Sequence, residues 1–102
     1  MITREQIETR FEKVLGNFGK CEINWDMENT LRKFVNEISR ELIELTQSGI
    51  EPEINLKDLE EIATNYFYED YLVTFKNKRK AKARAKERVK TIIEDELKNI
   101  QR

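Results

Sequence analysis

The chain has 102 residues, 38% apolar and 38% charged, with 19 Lys or Arg against 20 Asp or Glu and no histidine. That length fits one domain, which by area scaling buries roughly two-thirds of its unfolded surface, and the charged share stands well above the ~25% of an average soluble protein. The composition excludes an intrachain disulfide framework, because Cys21 is the only cysteine, and a membrane-spanning helix, because no apolar run approaches about 18 residues.

Residues 3–15 read as a first helix. Thr3 and Gln6 have the spacing of a capping box, and Ile7, Phe11, Val14 and Leu15 fall on one helical face. Gly16 and Gly19 are expected to end it, with Phe18 between them as a core anchor. Lys20 to Asn24 is then a short connector. Cys21 and Ile23 can point inward from it, and Cys21 reads as a small buried hydrophobe rather than a reactive thiol, since Glu22 offsets the help of Lys20.

Asn24 or Asp26 can cap a second helix running to about Gln47. Met27, Leu31, Phe34, Val35, Ile38, Leu42 and Leu45 keep a 3–4 spacing through it, and Trp25 stands at its entrance, at a core edge or in an interface. Ser48-Gly49 stops the helix, Ile50 is placed for the contact that accompanies a glycine C-cap, and Pro52 prevents resumption. After a connector at 51–55, Asn55 is an N-cap with Asp58 three residues on.

From Leu56 onward there is neither Gly nor Pro. One continuous helix of about 45 residues would span about 67 Å, against about 35 Å for the second helix. Its apolar face also shifts. Leu59, Ile62, Ala63 and Tyr66 share one side, whereas Phe67, Tyr68, Tyr71, Leu72 and Phe75 lie mostly about 150° around. Either the helix kinks near 66–67 or 75–78 and a fourth helix follows, or it stays straight and a second chain covers the aromatic zone. Ala81, Ala85, Val89, Ile92, Ile93 and Ile100 continue the second stripe.

The stretch 76–90 reads KNKRKAKARAKERVK. It holds nine cations against the single acid Glu87, a local charge of +8 in a chain whose total is −1, so the remainder carries −9. Such segregation points to a polyanion or an acidic partner. Burial of so many unpaired charges is too costly, so the stretch is expected to be exposed on most sides.

Three readings stay open. The first is a solvated helix balanced by Glu37, Glu41, Glu44, Glu51, Glu53, Glu60, Glu61 and the tail acids Glu94, Asp95 and Glu96. The second is contact with nucleic-acid phosphates through Lys76, Lys78, Arg79, Lys80, Lys82, Arg84, Lys86, Arg88 and Lys90, with no residue pattern that reads bases. The third is an acidic protein or a further copy of the chain, docking on Tyr66, Phe67, Tyr68, Tyr71 and Phe75.

In charge density the stretch resembles a bZIP basic region. It lacks that family's N-x-x-A-A-x-x-C/S-R pattern, and Val89 to Ile100 is too short for a zipper, so nothing of that family carries over. Small helical subunits of phage connector rings resemble the layout, with a basic surface facing DNA. That likeness implies a structural or regulatory accessory subunit and rests on layout, not on a motif.

Catalysis is not expected. The usual general base and commonest metal ligand, histidine, is missing. Ser39 and Ser48 have no activating partner in sequence, and the segment Gly16-Asn17-Phe18-Gly19 carries no Lys-Ser/Thr and follows no strand. Carboxylate pairs such as Glu37/Glu41 and Glu60/Glu61 are the remaining metal candidates, though acids occur all over this surface. No cofactor is implied. A reducing, cytoplasmic compartment without membrane attachment is the simplest expectation, since MITREQIETRF lacks a signal-peptide core.

The expected architecture is all-α: a small three- to four-helix bundle with a long basic C-terminal helix. It forms a single helical domain over 1–102, with a bundle at 1–75 and a basic extension at 76–102. The leading function is a non-enzymatic protein that engages nucleic-acid phosphates. The runner-up is an interaction or homo-oligomerisation module using 66–75.

Overall fold

The computed structural model describes residues 2–18 and 25–100; the backbone of Asn17 and Phe18 is included, their side chains are not. The expected anchor role of Phe18, the connector containing Lys20, Cys21, Glu22 and Ile23, and the Asn24 cap lie outside the described residues. The described chain is all-α: four helices and no strand, α1 (Arg4–Phe18), α2 (Trp25–Ser48), α3 (Leu56–Phe75) and α4 (Lys78–Ile100).

Each described helix end has a chemical cause. At α1 the Thr3 N–H donates to Gln6 Oε1 at 3.0 Å and the Gln6 N–H donates to Thr3 Oγ1 at 3.2 Å, which closes the capping box. The Ile2 N–H reaches both carboxylate oxygens of Glu41 at 3.2 Å and ties the start of the chain to α2. Gly16 does not end α1, contrary to expectation; the helix runs on to Phe18. A glycine weakens a helix by about 1 kcal/mol but removes no hydrogen bond.

Asp26 is likewise not the cap of α2. Trp25 is already helical, so Asp26 and Glu28 lie in the first turn, near the positive end of the dipole. At the other end Gly49 takes φ +72°, the Ile50 N–H donates to the Leu45 carbonyl at 2.9 Å, and the Gly49 N–H donates to the Thr46 carbonyl at 3.2 Å. This is a Schellman stop. Ile50 nevertheless stays 52% exposed.

Asn55 caps α3: its Oδ1 accepts from the Lys57 and Asp58 N–H groups at 3.0 Å, and Asp58 Oδ2 accepts from the Asn55 N–H at 3.1 Å. The question of one long helix or two is answered at 76–77. Lys76 adopts the left-handed region at φ 53°, ψ 16°, with its N–H on the Leu72 carbonyl at 3.0 Å. Asn77 then starts α4, its Oδ1 accepting from the Lys80 N–H at 3.1 Å and its carbonyl from the Ala81 N–H at 2.9 Å. The chain turns here without glycine or proline.

As a result α4 folds back along α3, and these two form the most extensive helix pair. The molecule measures 46 × 26 × 21 Å, too short for a 67 Å rod. The core takes Ile7 and Phe11 from α1, Leu31 and Val35 from α2, Leu59 and Phe67 from α3, and Val89 and Ile92 from α4, all at 2% exposure or less. The basic helix is therefore a wall of the bundle, not an extension beyond a bundle that ends at residue 75. Ala81 and Ala85, both 0% exposed, form its inner stripe. Small side chains there let the backbone lie close to its neighbours while the long cations splay outward.

The two faces of α3 are both covered by the same chain. Tyr66 stacks on Phe11 of α1, centroids 5.7 Å apart, and Phe67 is buried. Phe67, Tyr71 and Phe75 continue as an edge-to-face series at 6.2 and 6.0 Å. Folding back at the 75–78 kink accounts for the shift of the apolar face.

Candidate nucleic-acid interface

A buried Ala81–Ala85–Val89 stripe leaves the cations of α4 only the flanks and the outer face. At about 100° per residue, Lys82, Lys86 and Lys90 run along one flank and Lys80, Arg84 and Arg88 along the other, about 160° apart. Lys76, Lys78 and Arg79 gather at the turn where the two rows begin. The basic stretch is thus two cationic edges joined at one end, not an evenly charged cylinder.

Three of the nine expected phosphate ligands have partners. Arg88 donates through Nε at 3.0 Å and through Nη2 to Glu28 Oε1. Glu28 is 4% exposed, so this is a buried carboxylate held by a half-buried guanidinium. Arg88 is a structural tie between α4 and α2. Arg84 forms a long contact to Glu87 one turn on, at 3.7 Å, and both side chains are mostly exposed. Lys82 donates to Asn65 Oδ1 at 3.0 Å and lies 5.5 Å from the Tyr68 ring centroid.

The other six, Lys76, Lys78, Arg79, Lys80, Lys86 and Lys90, are exposed and form no ion pair among the described residues. Arg88 alone links the basic stretch by an ion pair to another helix among those residues. Among the described residues the acids Glu37, Glu41, Glu44, Glu51, Glu53, Glu60, Glu61, Glu94, Asp95 and Glu96 form no ion pair with the cations of 76–90. Four of the six unpaired cations fall within residues 76–80, and the first turn of α4 contains no acid. The positive end of the α4 dipole thus carries added positive charge, the unfavourable arrangement for an isolated helix.

Beside the second row lies an open groove of about 400 Å³, bordered among others by Trp25, Glu28, Tyr71, Phe75, Arg84, Glu87 and Arg88. Trp25 is 65% exposed at its rim. Tyr71 is half-buried, and its phenol is held above the usual tyrosine range, first by burial and then by the Glu28 carboxylate, with Arg88 acting in the opposite sense. Tyr66 is raised too, first by burial and then by Glu12 and Glu8.

Of the expected interface aromatics, Phe67 is buried, while Tyr66, Tyr68, Tyr71 and Phe75 are partly covered by their own chain. Sequence reasoning did not single out Glu28 or Asn77. Both left a signal. Glu28 sits on the apolar face of α2, one turn before Leu31, where a carboxylate needs a cation. Asn77 is an N-cap residue at the start of an alanine-spaced helical pattern. Among the described residues no group of three or more Cys, Asp or Glu is placed to hold a metal ion, and no helix is long and apolar enough to cross a membrane. The pairs Glu37/Glu41 and Glu60/Glu61 thus find no third ligand there. Compared with known protein families, curated proteins and solved structures, the chain matches none.

Proposed function

We propose that this protein is a non-enzymatic intracellular accessory that binds nucleic-acid phosphates through the α3–α4 turn and the exposed edges of α4. The observation that carries this reading is the set of six cations with no ion pair among the described residues, four of them crowded at the positive end of a helix dipole. A folded chain keeps such a cluster at a cost in repulsion, and a bound polyanion relieves it. Of the three alanines among the cations only Ala83 is exposed, so close approach to a sugar-phosphate chain is confined to the outer face beside it. The −9 on the rest of the molecule opposes general coating and confines contact to this element. The packing of 66–75 against its own helices favours this reading over an oligomerisation module built on those aromatics.

Salt titration provides the test. Six phosphates neutralised on duplex DNA give a log–log slope of about −5. Replacing Lys78, Arg79, Lys80, Lys86 and Lys90 with Gln should bring the slope to about −1 and leave the helical circular dichroism unchanged. Binding that is absent at low salt, or indifferent to salt, overturns the reading.

A further inference from the structure

Phosphate contact leaves the groove beside Arg84 without a role. Its rim holds the chain's only tryptophan, Trp25, 65% exposed and in no ring stack among the described residues. Its wall is the edge-to-face pair Tyr71 and Phe75, at 6.0 Å. Two carboxylates line the groove, Glu28 held by Arg88 and Glu87 loosely by Arg84, so with both arginines it offers little net charge. Arg84 stands on the lip, its side chain 60% exposed and only loosely tied to Glu87. Lys80, in no ion pair among the described residues, lies one turn before Arg84 on the same edge, about 6 Å along the axis.

We propose that this groove takes one unstacked base of a single-stranded nucleic acid, with the flanking phosphates on Lys80 and Arg84. The proposal rests on the phosphate-binding reading above and adds the strand class. Aromatic faces beside a cationic track are the usual means of holding single strands without sequence choice, because every base has a π-face. A groove of about 400 Å³ admits a base but not a duplex. A paired base would first have to leave its stack, at a cost of a few kcal/mol. Duplexes therefore meet only the outer cations, whereas single strands gain the groove as well.

Trp25 is its own reporter. The full chain is titrated with labelled oligothymidylate, with oligouridylate, with a duplex of matched charge and with inorganic polyphosphate, following label anisotropy and tryptophan emission together. The expected result is quenching of Trp25 by the single strands only, and an affinity for at least one of them roughly tenfold above the duplex. Trp25→Ala and Phe75→Ala each weaken single-strand binding roughly tenfold and leave duplex binding within about twofold, while Trp25→Phe retains most of the preference. Thermal melts establish that each variant folds; Trp25, being exposed, is the substitution least able to disturb the core. Salt-dependent binding to all four polyanions with unchanged tryptophan emission overturns the groove assignment and leaves phosphate contact standing. No binding to any of them at low salt overturns both.

Discussion

Arg88→Ala tests whether the basic helix is part of the bundle. The substitution leaves Glu28, 4% exposed, without the guanidinium that reaches Oε1 through two nitrogens. Removing one partner of a buried pair costs about 3–5 kcal/mol. Arg88 is 39% exposed, so its loss opens a path for water to the carboxylate from the groove side. Rehydration lowers the expected cost to about 2–3 kcal/mol. For a domain of this size that corresponds to a fall in Tm of about 10–20 °C. Urea unfolding of the parent, Arg88→Ala, Glu28→Leu and the pair Glu28→Leu with Arg88→Met supplies the measurement. The apolar pair should return to within about 1 kcal/mol of the parent, since it removes the desolvation cost together with the attraction. An Arg88→Ala variant within about 0.5 kcal/mol of the parent would refute the buried tie between α2 and α4, because surface substitutions move stability by no more than that.

Two further outcomes concern the turn and the phenols. Lys76 adopts a left-handed backbone that costs a side-chain-bearing residue about 1 kcal/mol, so Lys76→Gly should raise stability by up to that amount. Asn77→Ala should lower it by about 1 kcal/mol through the lost cap on the Lys80 N–H. A lower urea midpoint for Lys76→Gly together with an unchanged or higher one for Asn77→Ala would disprove the two-helix turn. Above about pH 10 the unfolded chain releases phenolic protons that folded Tyr66 and Tyr71 retain. The unfolded state then binds fewer protons, so stability is whole below about pH 10 and declines as pH rises through the raised values. Urea midpoints at increasing alkaline pH should show this decline, with a shallower slope in Tyr71→Phe; equal slopes would contradict the burial of that phenol.

Periodicity was enough to find α1 and α2, and end chemistry to place the start of α1, the end of α2 and the start of α3, but not the end of α1 beyond Gly16. Thr3 with Gln6, Gly49, and Asn55 with Asp58 act through neighbours within a few residues, so their hydrogen bonds are implied by spacing. The segregation of charge was equally plain, because it needs only counting. Three features were not decided there. A kink at 75–78 was one of the alternatives the sequence left open; the turn at Lys76-Asn77 costs about 1 kcal/mol locally and is stabilised by the burial of Ala81, Ala85, Val89 and Ile92 in contacts remote in sequence. Glu28 and Arg88 stand 60 residues apart, and nothing local in the chain pairs them. The division of nine cations into partnered and free depends on which face α4 turns inward. The sequence by itself determined that these residues make helices and that positive charge collects in the last of them, since both follow from local identity. Only the tertiary structure decided that this helix folds back as a wall of the bundle, because packing an alanine stripe requires the other helices to be in place.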